Sequence, residues 1–246
     1  MKFPSKPKEI LIWILLLVFA VYYILVRDFG SIFHVFLVTS LTLLFDAAFL
    51  TIRKIKLFRL SAACASGLIL SILLPPDVRL TVQIAAPFFA MASKHFLVSK
   101  GFHIFNPAAF GVVMVSIFFN VYPSWWAVSY SLVPAILILV LVGYVAIKRV
   151  KKGPVLLAFY TSLVIISLIR HENLNFVLDY TTLFFAFVML CEPVTSPNKV
   201  KNQLIYGTLT ALLIFVTPGI ILQIFKDPLI FALLIGNKFS FWRERL

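Results

Sequence analysis

The sequence reads Phe-Asn-Pro-Ala-Ala-Phe at residues 105–110 and Asp-Pro-Leu-Ile-Phe at residues 227–231, so the pattern Asx-Pro-x-x-Phe occurs in each half of the chain. An Asn or Asp side chain caps the free N–H groups of a helix start, and proline fits the first helical position because its missing N–H is not needed there. Each segment therefore predicts the start of a helix.

A proline-rich break precedes each of these helix starts. Residues 73–77 read Leu-Leu-Pro-Pro-Asp, and residues 191–197 read Cys-Glu-Pro-Val-Thr-Ser-Pro. In both places an apolar run ends beside a carboxylate. The order of apolar run, break and capped restart thus occurs twice, which is typical of an internal repeat with interrupted helices.

The composition is that of an integral membrane protein. Hydrophobic residues make up 62% of the 246 residues, and the mean hydropathy is +1.04, which leaves too little polar surface for a soluble domain. A membrane-spanning helix needs about 20 apolar residues. We predict ten such spans, near residues 10–26, 31–52, 60–75, 81–97, 106–121, 125–147, 154–169, 174–191, 203–221 and 227–242.

The basic residues predict how these spans are oriented. All 22 lysines and arginines lie in or beside the gaps between the predicted spans, with 18 in one alternate set of gaps and 4 in the other. The positive-inside rule then places both termini in the cytoplasm. Because the membrane would divide these residues between its two sides, the net charge of +13 does not predict nucleic-acid binding.

The predicted fold is one all-α transmembrane domain, 1–246, built from two repeats at about 10–121 and 125–242. Each repeat holds five spans, an odd number, so the two repeats have opposite orientations. The helix start at Asn106 is then cytoplasmic and the start at Asp227 lies outside. In inverted repeats, binding sites lie near the membrane midplane where helices are interrupted.

Asp46 is the carboxylate that lies well inside a predicted span. Its insertion costs at least about 2.5 kcal/mol, and such residues usually face a cavity or a partner. One interpretation is an ion or proton pathway. The alternative is that Asp46 reaches a nearby lysine or interfacial water.

Glu192 ends the eighth predicted span beside Pro193, where the last helical carbonyl groups lack partners. A cation could bind among these carbonyls, the Glu192 carboxylate and the Thr195 and Ser196 hydroxyls. The alternative is a surface turn with a lysine partner such as Lys199. We take Asp46, Glu192, Thr195 and Asp227 as candidates for an ion pathway.

The cytoplasmic gap before Asn106 could hold an anion. Lys94, His95 and Lys100 add positive potential to the free N–H groups of the capped helix start. The neighbouring His103 fits an interfacial polar residue equally well. Tyr122, Trp125 and Trp126 predict an aromatic belt at the outer interface.

Several kinds of site are missing from the sequence. Cys64 and Cys191 lie in apolar spans without metal-ligand spacing, and no nucleotide-binding, haem-attachment or hydrolase motif occurs. We therefore predict no metal site and no enzyme that acts alone. Any electron donor would be on another chain.

Five sequence blocks resemble the NqrB/RnfD family, whose members are membrane subunits of the sodium-translocating NADH:quinone oxidoreductase and of the Rnf electron-transport complex. The blocks are residues 66–76, 93–96, 103–111, 192–197 and 203–207. The resemblance implies a ten-helix inverted repeat shared with urea transporters. It also implies a bacterial or archaeal plasma membrane and a complex, with other membrane subunits and flavin or iron-sulfur subunits, that couples electron flow to Na⁺ or H⁺ movement.

The same resemblance selects four residues of the matching blocks as candidates for cofactor binding: Lys94, His103, Asn106 and Pro107. Family members usually attach FMN through a threonine in a Ser-x-Ala-Thr segment between the fifth and sixth helices. Here that connection shrinks to about residues 120–125, and the segment does not occur. Covalent FMN is therefore not expected, whereas a noncovalent riboflavin or FMN remains open.

Alternatives from other functional classes also remain open. The chain could be a channel or facilitator for a small solute or ion, which would reuse the inverted-repeat fold without redox chemistry. It could also be a structural anchor for a soluble reductase.

Overall fold

The structure is a computed structural model, and it describes residues 7–55, 60–131, 136–217 and 219–245. The first half of the chain forms five helices: α1 Pro7–Val26, α2 Phe29–Ile52, α3 Leu60–Leu73, α4 Leu80–Phe96 and α5 Pro107–Phe119. These bounds agree closely with the first five predicted spans. The antiparallel strands β1 Val98–Ser99 and β2 Phe102–His103 connect α4 to α5.

The helix starts follow the predicted capping chemistry. The Asn106 side chain accepts a hydrogen bond from the N–H of Ala109, with Pro107 at the first helical position of α5. Asp227 accepts from the N–H groups of Leu229 and Ile230 at the start of the last helix. Both predicted helix starts are confirmed.

The second half of the chain is more irregular. A short helix, α6 Trp126–Ser129, comes first, and α7 consists of the π-helical stretches Ile138–Val142 and Val145–Arg149. The remaining elements are α8 Gly153–Ile169, a 3₁₀ turn Leu174–Leu178, α9 Tyr180–Phe184 with a π-helical continuation Phe185–Leu190, α10 Val200–Val216, α11 Gly219–Phe225 and α12 Pro228–Arg245.

Three predicted spans differ from the structure. Hydropathy predicts continuous spans at 125–147 and 174–191, but both are broken into short α, 3₁₀ and π segments. The span at 203–221 ends at Val216, and α11 follows as a separate helix. Thr217 has ψ 113°, outside the helical range, because a proline at 218 disfavours the helical conformation in the residue before it.

The helices present apolar surface to their surroundings. Among the described residues, α1 and α2 are long and apolar enough to cross a membrane, and several shorter apolar helices accompany them. On α2, Phe33, Phe36 and Leu44 are each more than 60% exposed. Side chains of this kind suit contact with lipid.

Close helix packing occurs in both halves. α2 packs against α3 and α4, and α4 packs against α5; α10 packs against α8 and α12. A Cβ at Gly111 would lie 2.6 Å from the Ala86 carbonyl oxygen, and one at Gly207 would lie 2.5 Å from that of Val155. Glycine thus permits the α4–α5 and α8–α10 contacts.

We name the two ends of the helix bundle after the first and last residues of α1, Pro7 and Val26. At the Pro7 end, Pro7 and Lys8 share a cavity with Asn106 and Glu192. At the Val26 end, the ring of Tyr22 packs edge-on against Trp126 at 4.6 Å. The Glu192 and Asp46 clusters described below lie at the Pro7 end, and the Asp227 cluster lies at the Val26 end.

Candidate functional site

The break after α9 and the start of α5 meet at the Pro7 end. The Asn106 side-chain amide donates a hydrogen bond to Glu192, with 2.9 Å between Nδ2 and Oε2. Asn106 is 3% exposed, so this bond lies inside the protein. The two sequence features singled out as helix breaks in separate halves therefore form one site.

The network continues into the second half through Asn237, which the sequence did not single out, and Tyr206, which lies in the block 203–207. The backbone N–H of Asn106 donates to Asn237 Oδ1 at 2.8 Å, and Asn237 Nδ2 donates to the Tyr206 hydroxyl at 3.1 Å. Both partners are fully buried. The only available signal was an Asn inside a predicted apolar span, which by itself does not reveal a partner 131 positions away.

Glu192 has further partners on both oxygens. The Thr195 hydroxyl donates to Oε2 at 3.1 Å, and His103 Nε2 lies 3.7 Å from Oε1. The second distance suits an ion pair but is too long for a hydrogen bond. Among the described contacts, the partners of the Glu192 carboxylate are thus Asn106, Thr195 and His103. The Lys199 backbone N–H instead donates to Glu244.

Lys152 fixes the segment that follows Glu192. It is 1% exposed, and its ammonium donates to the carbonyl oxygens of Ser196 and Pro197, at 3.3 and 2.6 Å, and to Asn198 Oδ1 at 3.1 Å. Sequence reasoning counted Lys152 only as a topogenic charge. Its place beside Lys151 at the start of a predicted span gave no sign that it turns inward.

A cavity of about 60 Å³ adjoins this network. Its polar lining includes Lys8, Ser66, Asn106 and Glu192, and its walls are otherwise mostly apolar. Since one water molecule needs roughly 10–15 Å³ measured in this way, the cavity has room for a few waters or a small cation.

Three of the four residues proposed for cofactor binding have polar groups that are engaged within the protein or have no donor, and the fourth, His103, lies beside Glu192. Lys94 is paired with Asp46, and the Asn106 side chain is used by Ala109 and Glu192. Pro107 has no N–H. Pockets for ligands of flavin size measure about 300–1,000 Å³, so the neighbouring cavity of about 60 Å³ is too small for an isoalloxazine ring.

Asp46 anchors a second cluster at the Pro7 end. Its Oδ1 lies 2.7 Å from Lys94 Nζ and 2.7 Å from His95 Nε2. Asp46 is 1% exposed, so the charge is paired inside the protein, as in the alternative in which Asp46 reaches a lysine. Both basic groups face Asp46, which leaves them poorly placed for the anion site considered from the sequence.

Asp227 lies at the Val26 end, far from Glu192. Its Oδ1 caps α12, and its Oδ2 accepts a hydrogen bond from the indole N–H of Trp125 at 2.8 Å. The prediction that Trp125 marks the outer interface is wrong, because its side chain is 5% exposed and serves as a buried donor. Tyr122 is exposed, as an interface residue would be.

The described part of the chain contains no group of three His, Cys, Asp or Glu side chains able to hold a metal ion. Cys64 and Cys191 are free thiols. The chemistry that this site offers is that of a largely buried carboxylate, hydrogen-bonded to Asn106 and Thr195, beside a small cavity.

Comparison with known proteins assigns the chain to a family. No curated protein matches the chain significantly, but residues 5–133 match the NQR2, RnfD, RnfE family. The matched part includes His103 and Asn106, and it ends before Glu192. This is a family of membrane proteins that are subunits of electron-transport complexes coupled to Na⁺ or H⁺ translocation. Because the match covers more than half of its residues, the chain belongs to the NQR2, RnfD, RnfE family.

Proposed function

We propose that this chain is a membrane subunit that couples electron transfer in its complex to Na⁺ or H⁺ movement, with the Glu192 carboxylate as an ion-binding group on the pathway. The observation that carries the proposal is the 2.9 Å bond between Asn106 and Glu192 beside the cavity. It joins a helix start in one half to a helix break in the other.

The surroundings of Glu192 suit a small cation. Asn106 and Thr195 hold Oε2, whereas Oε1 has His103 at 3.7 Å and the residue lines the cavity. Ionisable residues at membrane depth commonly mark ion and proton pathways. Thr195 positions the carboxylate through its hydrogen bond to Oε2, and the His103 ring lies beside the other oxygen.

We further propose that the two halves form an inverted repeat with the Pro7 end in the cytoplasm. The packing of α4 on both α2 and α5 resembles that of α10 on both α8 and α12, and the distribution of basic residues supports the orientation. Asp46, Glu192 and Thr195 then lie near the cytoplasmic entrance, and Asp227 lies near the opposite exit.

The electron carriers of the complex are proposed to reside mainly on partner subunits with flavin or iron-sulfur centres, in a bacterial or archaeal plasma membrane. A noncovalent flavin on this chain would require a site other than the cavity beside Glu192. The visible absorption of the purified chain tests this, since a bound oxidised flavin absorbs where the polypeptide does not.

The ion-pathway proposal is tested in inverted membrane vesicles that contain the complete complex. Addition of the electron donor drives Na⁺ or H⁺ uptake, and we expect Glu192→Gln to reduce the initial rate at least tenfold while the subunit remains in the complex. The control Glu172→Gln changes a Glu that is exposed and paired with Arg170, and it should transport normally. Normal uptake by an assembled Glu192→Gln complex would overturn the proposal.

A flux assay in liposomes separates this function from a passive channel. A channel or facilitator would move its solute or ion down a gradient without an electron donor. Liposomes that contain only the purified chain should show no such flux if movement requires electron transfer.

A further inference from the structure

Lys8, in the first turn of α1, is a half-buried lysine that lines the cavity beside Glu192. Of the described residues that line this cavity, Lys8 is the basic one and Glu192 is the acidic one. The lining also includes Pro193, which is exposed, and Ala108, which is buried. The cavity therefore extends from the surface at the Pro7 end into the protein, and a cation that reaches Glu192 through it passes beside Lys8.

Local helix chemistry does not explain a lysine at this position. The first turn lies at the positive end of the helix dipole, where acidic side chains are stabilising and basic ones are not. The neighbouring Glu9 fits this preference, and Lys8 does not. The positive-inside rule accounts for a basic residue at this end of the bundle, but a lysine that faces only solvent would satisfy it equally well. The place of Lys8 on the cavity wall therefore has a separate cause.

Two neighbouring charges act on the Lys8 ammonium from different sides. The Glu192 carboxylate attracts it, and the Lys94 ammonium repels it. Lys94 is held by Asp46 at 2.7 Å, so its charge stays in place. Together the two forces direct Lys8 toward the cavity and away from the Asp46 cluster.

The Lys8 ammonium and the Glu192 carboxylate face the same space without closing it. Among the described residues, Lys8 forms no direct ion pair. The cavity of about 60 Å³ therefore remains open beside both groups, and the positive charge acts on whatever enters it.

We propose that Lys8 is a specificity-determining residue of the cation pathway, which limits the affinity of the Glu192 site for monovalent cations and keeps divalent cations out. Its repulsion opposes the attraction of the carboxylate, and it acts twice as strongly on an ion of charge +2 as on one of charge +1. A cation held in this way binds weakly enough to be released. The inference rests on the function proposed above for Glu192.

The test is the concentration dependence of donor-driven uptake in inverted vesicles that contain the complete complex. Uptake is followed with ²²Na⁺ and with a pH-sensitive dye, so that the cation which the unmodified complex accumulates serves as the probe. Lys8→Gln should lower the half-saturating concentration of that cation roughly fivefold, because one repelling charge is removed, and it should leave the maximal rate unchanged. Lys8→Arg keeps the charge and should retain the original value.

A matched control separates this effect from the general surface charge. Lys54 is an exposed lysine after α2 at the same end of the bundle, and Lys54→Gln should leave the half-saturating concentration unchanged. Millimolar Mg²⁺, added with the ionic strength held constant by choline chloride, should inhibit Lys8→Gln more strongly than the unmodified complex. Should Lys8→Gln not assemble, Lys8→Met removes the same charge and takes its place.

The role of Lys8 and the role of Glu192 fail in different ways. An unchanged or higher half-saturating concentration in Lys8→Gln, or an equal decrease in Lys54→Gln, would overturn the proposal for Lys8. If Glu192→Gln is inactive in the same experiment, the function of Glu192 is retained and only the inference about Lys8 is wrong. Normal uptake by Glu192→Gln would remove both.

Discussion

Asn106 and Glu192 lie 86 positions apart in the chain and are joined by a hydrogen bond of 2.9 Å inside the protein. Asn106 also caps α5, so one side chain both starts a helix and holds the carboxylate of the other half. Replacement of Asn106 should therefore affect both the start of α5 and the position of the Glu192 carboxylate.

Replacing Asn106 with alanine should destabilise the protein by about 2–4 kcal/mol. The variant loses a helix cap worth about 1 kcal/mol and leaves a buried carboxylate without a charged hydrogen bond worth about 1.5–3 kcal/mol. Thermal unfolding in detergent, followed by circular dichroism, measures the change. The control Asn175→Ala alters an exposed side chain and should unfold as the unmodified protein does; equal midpoints for all three would contradict the role of Asn106.

Removal of the Asp46 carboxylate should cost about 3–5 kcal/mol, because Asp46→Ala leaves the Lys94 ammonium without its buried partner. The double variant Asp46→Ala with Lys94→Met should recover part of the loss, since it removes both charges and leaves only His95 without its partner. A double-mutant cycle by denaturant unfolding measures the coupling. Additive losses would show that the two side chains do not act as a pair.

The exposed pair of Arg170 and Glu172 serves as the reference for that cycle. Both side chains are more than a third exposed, and surface pairs contribute about 0–1 kcal/mol. Glu172→Ala should therefore change the free energy of unfolding little. If Glu172→Ala lost as much stability as Asp46→Ala, burial would not explain why the two ion pairs are expected to contribute differently.

Gly207→Ala should destabilise the contact between α8 and α10 by about 1–3 kcal/mol. The new Cβ would lie 2.5 Å from the Val155 carbonyl oxygen, and backbone must move to relieve the overlap. Gly219→Ala is the matched control, since a Cβ there meets nothing within 4 Å. The prediction fails if both variants unfold at the same temperature.

The contribution of Asp28 to stability should fall at low pH. Asp28 caps α2, and a hydrogen bond from the Ser31 hydroxyl, with others from backbone N–H groups, lowers the pKa of its carboxyl. Because the folded pKa lies below the unfolded one, the stabilisation is complete above about pH 4 and is lost as the pH falls through the folded pKa.

The measurement is the difference in thermal midpoint between the protein and Asp28→Ala at neutral and at acidic pH. At neutral pH the loss should be about 1 kcal/mol, and it should shrink on acidification. Asp28→Asn keeps a capping oxygen but does not titrate, so its difference from Asp28→Ala should stay nearly constant. If the difference in thermal midpoint between the protein and Asp28→Ala grew at acidic pH, the prediction for the Asp28 carboxyl would be wrong.

The sequence predicted the fold most accurately where local chemistry alone determines the structure, as at helix starts. Asn106 and Asp227 each precede a proline and cap a helix, and neither needs a distant partner to do so. The π-helical stretch Phe185–Leu190 was not predicted, because hydropathy depends on composition and not on the number of residues per turn. The end of α10 at Val216 was not predicted, although the sequence has a proline at 218, which disfavours a helical conformation at residue 217.

The candidate site was predicted only in part, because local sequence patterns identify its residues but not the contacts between them. Asn106 and Glu192 were singled out separately, since a cap and a proline-terminated helix are local patterns, but their contact depends on how the halves pack. Asn237 and Lys152 were missed because a polar residue in an apolar helix and a lysine at a helix boundary have many ordinary explanations. Only the fold shows that both point inward.

The hydrogen bond from the Asn106 backbone N–H to Asn237 sets an order for biosynthesis. The acceptor is 131 residues further along the chain, and ribosomes add about 5–20 residues per second, so the start of α5 must wait roughly 7 to 26 seconds for it. During that interval a polar group destined for the interior has no permanent partner. The first half of the protein is therefore synthesised before the acceptor of this N–H group exists. The hydrogen bond can form only after the last helix has been made.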